Sequence, residues 1–113
     1  MILAGTSAKV TMSTSSTADI AVCASWTDIT STTLTGGNDN TLSNTAAVTD
    51  IVGSPAASTQ RQVKNLKIYN YDATDSNTIT VSHTDGGLSA VIYRRALAPY
   101  ESIEYDGSKW IYY

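Results

Sequence analysis

Hydrophobic and polar residues alternate through most of the C-terminal half of the chain, in runs of five to ten residues. These runs are rich in Val, Ile, Thr and Tyr, the residue types that fit the half-buried surface of a β-sheet. Glycines follow aspartate at residues 85–87 and 106–107, where they can adopt the positive φ of tight hairpin turns. The pattern predicts antiparallel strands over Val63–Asn70, Asn77–Thr84, Leu88–Leu97, Tyr100–Tyr105 and Lys109–Tyr113.

A period of two residues also marks the segment from Asp19 to Asp28. The large side chains of this segment fall on one face, which predicts a half-buried strand with its core side formed by Ile20, Val22, Ala24 and Trp26. Cys23, the only cysteine, lies in this apolar stretch, and we expect it to be a small buried hydrophobic residue.

Between this segment and residue 60 the strand signals are shorter. We expect a strand over residues 30–35 and a loop at the glycine-rich residues 36–40. A further strand is expected over residues 44–52, with Ala46 and Val48 pointing inward and a bulge before Ile51 or Val52. Residues 53–58 contain Pro55, which cannot donate to a strand ladder, so they should connect this strand to the C-terminal ones.

No segment carries an apolar stripe at the helical period of 3.6 residues, and 113 residues suffice for one domain. The chain is therefore predicted to be all-β, a single antiparallel β-sandwich of jelly-roll or related Greek-key kind with eight or nine short strands. Residues 19–113 should form the sandwich. The Ser- and Thr-rich residues 1–18 should form either an N-terminal arm that orders against a partner, or an edge strand over Ala8–Met12 followed by a loop.

Composition and charge narrow the classes of partner. Ser and Thr supply 31 of the 113 residues, which indicates polar loops and exposed strand faces. The formal net charge is −3, and no basic run is present, so nucleic acid is not an expected partner. No stretch has the length of a membrane span or the pattern of a signal peptide, so we expect no membrane association and synthesis in a cytoplasm.

Residues that could support catalysis or bind a metal are few. Ser82, His83 and Asp85 are close in sequence, but neighbouring strand residues point to opposite faces and cannot readily form a nucleophile and base pair. His83 should instead be a partly buried strand residue. The oxygen-rich residues 72–77 lack the spacing of a calcium loop and should form a solvated connection. We predict that the chain is not an enzyme and has no catalytic residue, cofactor or metal site.

Aromatic residues are the other candidates for function. All seven tyrosines and Trp110 lie between residues 69 and 113, whereas Trp26 lies apart from them. Trp110 should be a core anchor, but a small sandwich cannot enclose every tyrosine. We therefore expect some tyrosines to form an interface between copies of the chain in a homotrimer, and the predicted residues are Tyr69, Tyr71, Tyr93 and Tyr112.

About the last sixty-five residues, beginning with IVGSPAASTQRQVKNLKIYN at residues 51–70, resemble a segment of small virion proteins of tailed bacteriophages. The motifs TITVSHTDG (78–86), LAPYES (97–102) and YDGSKW (105–110) are similar in order and spacing to the same group. A weaker similarity is found in ASWTD at residues 24–28. Such proteins are head-decoration or cement proteins and parts of fibres, so the resemblance implies a place in the virion and no catalytic residue.

Two functions follow as hypotheses. The first is a capsid decoration (cement) protein, assembled in the host cytoplasm, that binds the major capsid protein or another virion protein and stabilises the phage head by surface burial. The second is a receptor- or glycan-binding module of a phage tail or fibre, in which exposed Tyr or Trp would stack on sugar rings. Because one fold serves many functions, the resemblance cannot choose between them.

Overall fold

The computed structural model describes residues 1–113 and contains ten β-strands and no helix. No helix is therefore long or apolar enough to cross a membrane. The strands are β1 (Ile2–Ala4), β2 (Ala8–Thr14), β3 (Ile20–Ile29), β4 (Leu34–Ser43), β5 (Val48–Val52), β6 (Gln60–Asn70), β7 (Asn77–Asp85), β8 (Leu88–Leu97), β9 (Ser102–Tyr105) and β10 (Trp110–Tyr112).

The strands form two antiparallel sheets. Sheet A has the order β10-β9-β6-β3-β4, with β1 paired to the beginning of β6, and sheet B has the order β5-β2-β7-β8. The connection from β5 to β6 leads from the edge of sheet B to the interior of sheet A, a non-sequential connection of the kind found in Greek-key sandwiches. One flank of the sandwich is formed by β4 and β5, and the opposite flank by β8, β9 and β10. The predicted antiparallel β-sandwich is confirmed.

A single apolar core fills the space between the sheets, because alternate side chains of both sheets point inward. The fully buried side chains of this core include Leu3, Met12, Ile20, Leu66, Ile68, Ile79, Leu97 and Ile103. Predicted core residues Ile20, Val22 and Ala24 are buried, and Trp26 packs against the core while remaining partly exposed. Trp110, predicted to be a core anchor, packs against the core but is only partly buried and lies at its margin.

The strand count and the position of β4 differ from the prediction. Ten strands replace the expected eight or nine because β1, with three residues, is too short to give a sequence pattern. The expected strand at 30–35 and loop at 36–40 are wrong, since β4 runs from Leu34 through the glycines to Ser43. Its residues pair along the full length of β3, so tertiary pairing overrides the low strand propensity of glycine and asparagine.

Residues 1–18 are part of the sandwich, and the expected edge strand over Ala8–Met12 is wrong. Strand β2 lies inside sheet B, between β5 and β7, and Val10 and Met12 are fully buried. Beyond its end, the Asn77 side chain accepts hydrogen bonds from the backbone N–H groups of Ser15 (2.8 Å) and Ser16 (3.3 Å). Ser15 and Ser16 carry little apolar surface, and the hydrogen bonds to Asn77 satisfy their backbone groups instead. A polar segment can therefore be held in the sandwich, although its composition suggested an arm.

Two predictions of side-chain direction are also wrong, one for Ala46 and Val48 and the other for Cys23. Ala46 and Val48 are exposed, because the strand begins only at Val48 and lies at the edge of sheet B. The predicted bulge is confirmed, since the pairing of β5 with β2 shifts register and leaves Ile51 and Val52 both buried. Cys23 is exposed, because it lies on the outward face of β3.

Candidate functional site: an exposed edge strand

Strand β8 is the most unusual feature of the surface. It is the last strand of sheet B, so one of its sides pairs with β7 while the N–H and C=O groups of the other side have no strand partner. Side chains are exposed along both of its faces, including Leu88 (80% exposed) and Val91 (63%), and only Leu97 is buried. A long apolar edge strand of this kind is a template for pairing with another chain.

A bulge divides β8 into two parts. Val81 pairs with Tyr93 and Ser82 pairs with Val91, so Ile92 is an additional residue on β8. Beyond the bulge Tyr93 stacks on Trp110 of β10, whereas every residue from Leu88 to Ile92 is exposed. The sequence predicts this segment correctly as a strand, but the exposure of the strand was not predicted. The signal was its continuous apolar run, AVIY at residues 90–93, which does not alternate as a half-buried strand should.

Aromatic side chains close the flank beneath the second part of β8. Tyr93 of sheet B stacks on Trp110 of sheet A with ring centroids 4.7 Å apart, and Tyr105 lies 5.3 Å from Trp110 at a tilted angle. The Tyr105 hydroxyl donates a hydrogen bond to the carbonyl of Gly107. Stacked and tilted pairs are favourable beyond their buried area, so this cluster holds the two sheets together next to β8.

The four predicted interface tyrosines separate into two places. Tyr93 and Tyr112 lie at the β8 flank, where the Arg95 guanidinium sits 3.5 Å from the Tyr112 ring centroid and the Tyr112 hydroxyl bonds to Glu101. Tyr69 lines a groove on the outer face of sheet A, and Tyr71, which is 39% exposed, follows the end of β6. The structure therefore brings two of the four together beside the exposed edge.

The other edges of the sheets differ in how well they are protected. Strand β10 has only three residues, and β5 has five residues with an ion pair between Lys9 and Asp50 at 3.0 Å. Short length and edge charges both discourage pairing with another chain. Strand β4 is as long as β8, with ten residues, and its terminal Leu34 and Leu42 are more than 70% exposed. Two long edges, β8 and β4, are thus open on opposite flanks.

A polar cluster closes the sandwich beside β4. The Trp26 ring is covered on one side by the Arg61 guanidinium, 3.6 Å from its centroid, and its Nε1 donates to Asp39 at 3.3 Å. Arg61 donates from Nε and Nη2 to the two carboxylate oxygens of Asp28, at 2.8 and 3.0 Å, and from Nη1 to the carbonyl of Gly53 at 3.0 Å. These hydrogen bonds from Arg61 lower the pKa of Asp28.

Asp28→Asn is expected to lower the free energy of unfolding at pH 7 by about 1.5–3 kcal/mol, the range for hydrogen bonds to a charged partner. Because folding lowers the pKa of Asp28, this stability is complete above its unfolded pKa and is lost as pH falls through the folded value. The difference between wild type and variant should therefore shrink below about pH 4. Denaturant unfolding at several pH values measures it. Asp50→Asn, in an exposed ion pair, is the matched control and should cost about 0–1 kcal/mol.

Two further aspartates have their pKa lowered by backbone hydrogen bonds. The Asp72 carboxylate accepts from the N–H groups of Thr74 and Asp75, and the Asp106 carboxylate accepts from those of Lys109 and Ser108. In both loops the carboxylate closes a turn, which is a common structural use of aspartate. Nowhere in the structure do three or more His, Cys, Asp or Glu side chains converge in a way that could hold a metal ion.

The remaining candidates lie in separate places. His83 is a partly buried residue of β7, as predicted, and pairs across the sheet with Val10 and Ala90. The groove that contains Tyr69 has a volume of about 620 Å³ and is lined by Leu42, Lys67 and residues of β3 and β4.

Compared with known proteins, the chain matches no family model, no curated protein and no solved structure.

Proposed function

We propose that this chain is a structural virion protein, and specifically a decoration (cement) protein that binds the outside of a tailed-phage head. The observation that carries the proposal is the exposed β8 edge, with apolar side chains on both faces and unpaired backbone groups. An edge of this length promotes aggregation in a monomer, so its retention fits a protein that acts in an assembly. The phage resemblance of residues 51–113 supports the same class of function.

The assembly would combine copies of this chain with the shell. We infer a homotrimer, because a closed ring allows each copy to use the same contacts and can sit where three capsid subunits meet. The partner would be the major capsid protein or another virion protein, and the location would be the capsid surface. Such binding stabilises the head by removing protein surface from water, with no chemical step.

We expect purified phage particles to carry on the order of hundreds of copies of this chain, as the repeated sites of an icosahedral shell require. Quantitative mass spectrometry against the major capsid protein measures the copy number. Recombinant protein should also bind emptied particles, and should elute with a mass about three times its 12.0 kDa chain mass in light scattering after size exclusion. A copy number of a few to tens, with no binding to emptied heads, would contradict the decoration function.

The second candidate is a glycan- or receptor-binding module of a tail or fibre. One observation favours it, the groove on sheet A, where the ring of Tyr69 lies among Lys67, Asn40 and Thr41. An aromatic ring beside hydrogen-bonding side chains is the usual composition of a sugar site. Binding to a glycan array that is lost in Tyr69→Ala, and kept in Tyr100→Ala, would favour this function over decoration.

A further inference from the structure

Two long edge strands, β8 and β4, remain unpaired on opposite flanks of the sandwich. We propose that β8 of one copy pairs with β4 of the next copy, so that sheet B of each subunit continues into sheet A of its neighbour. The occupant of the β8 edge is thus a second copy of this chain. The proposal deepens the proposed function, on which it rests for the choice of three subunits in the ring.

Length and charge favour this pairing over the alternatives. Both strands have ten residues, so each could satisfy the other along its whole edge. The only charged residues of β8 are Arg94 and Arg95, and the only charged residue of β4 is Asp39. Arg94 is exposed and takes part in no ion pair. Pairing β8 with β8 would bring four arginines to one contact, whereas pairing with β4 brings opposite charges together.

The direction of the two strands fits a ring. Strand β8 ends beside Asn70, whose side-chain amide donates to the carbonyl of Leu97 at 3.1 Å. Strand β4 ends beside Thr14, whose hydroxyl donates to the carbonyl of Thr45 at 2.8 Å, and Asn77 bonds to the adjacent Ser15. Leu97 and Thr45 therefore lie near the same end of the sandwich, because Asn77 pairs with Leu97 and also bonds to Ser15. Both strands thus run toward that end. A rotation about an axis along the strands then brings β8 and β4 together in parallel, and such a head-to-tail contact closes into a ring of three when each copy is rotated by a third of a turn from the last.

Cross-linking tests the pairing in solution. In a Cys23→Ser background, which removes the exposed native thiol, Asn38→Cys is placed on β4 and Val91→Cys on β8. The double variant, treated with a short bis-maleimide at tens of micromolar protein, should give covalent dimers and trimers. Each single variant should give only monomer, because neither strand meets its own counterpart. The two positions lie on opposite flanks, so a link within one chain is excluded.

Several outcomes would overturn the pairing. Dimers from Val91→Cys alone would show that β8 pairs with β8, and monomer from the double variant would show no β8 and β4 contact. Arg94→Glu should weaken association about tenfold, whereas the same charge change at exposed Lys64 should have little effect.

Failure of the pairing and failure of the decoration function give different results. Cross-linked trimers that do not bind emptied particles would refute the decoration function alone, and particle binding by a protein without these cross-links would refute the pairing alone.

Discussion

Gly37→Ala is expected to lower the free energy of unfolding by about 2 kcal/mol, within the range for overpacking a well-packed site. A Cβ atom at Gly37 would lie 2.3 to 2.7 Å from three carbons of the Trp26 ring, much closer than a van der Waals contact. The ring cannot retreat freely, because the Arg61 guanidinium covers it and Asp39 accepts from its Nε1. Thermal melting should show a decrease on the order of 10 °C.

A neighbouring glycine provides the matched control. At Gly36 the nearest atom to an added Cβ is the Trp26 carbonyl oxygen, 4.0 Å away, so Gly36→Ala should melt within a few degrees of wild type. In a Trp26→Leu background the ring is gone, and adding Gly37→Ala should cost much less than it does in wild type. Equal effects of the two glycine substitutions, or an undiminished cost in the Leu background, would contradict a role of Gly37 in seating Trp26.

The sequence predicted a loop at residues 36–40, and the contact between Gly37 and Trp26 shows why that prediction is wrong. Two glycines followed by Asn, Asp and Asn have the composition of a turn, and strand propensity alone argues against pairing. The glycine at 37 is required by a tryptophan on the neighbouring strand, which no local pattern of β4 reveals. By contrast, β3, β6 and β7 were predictable, because each has one face in the core and alternates accordingly.

The candidate site was predictable only in part. Composition indicated that some tyrosines would be exposed, and Tyr93 and Tyr112 do lie at the flank of the open edge. That β8 is an edge strand depends on the order of strands in sheet B, and strand order is set by packing between distant segments. The exposure of Leu88 and Val91 therefore could not be read from β8 itself.

Asn77→Ala is expected to lower the free energy of unfolding by about 2–4 kcal/mol, the largest single-residue effect predicted for this chain. The Asn77 side chain is almost completely buried, and its Oδ1 accepts from the N–H groups of Ser15 and Ser16. Its Nδ2 donates to the carbonyls of Ser16 at 3.2 Å and Ala18 at 3.3 Å. Alanine would leave these part-buried backbone groups without this partner, and the buried carbonyl of Ala18 would lose its donor.

Limited proteolysis distinguishes this local effect from general loss of stability. Residues 15–18 carry little apolar surface of their own apart from the buried Ala18, so without the Asn77 bonds they should detach and become cleavable while β2 stays paired. Asn65→Ala is the matched control, because Asn65 makes one hydrogen bond, to Glu104 at 2.8 Å, and its loss should cost about 0.5–1.5 kcal/mol. If Asn77→Ala melted like Asn65→Ala and residues 15–18 stayed protected, tertiary contacts other than this side chain would hold the segment in the sandwich.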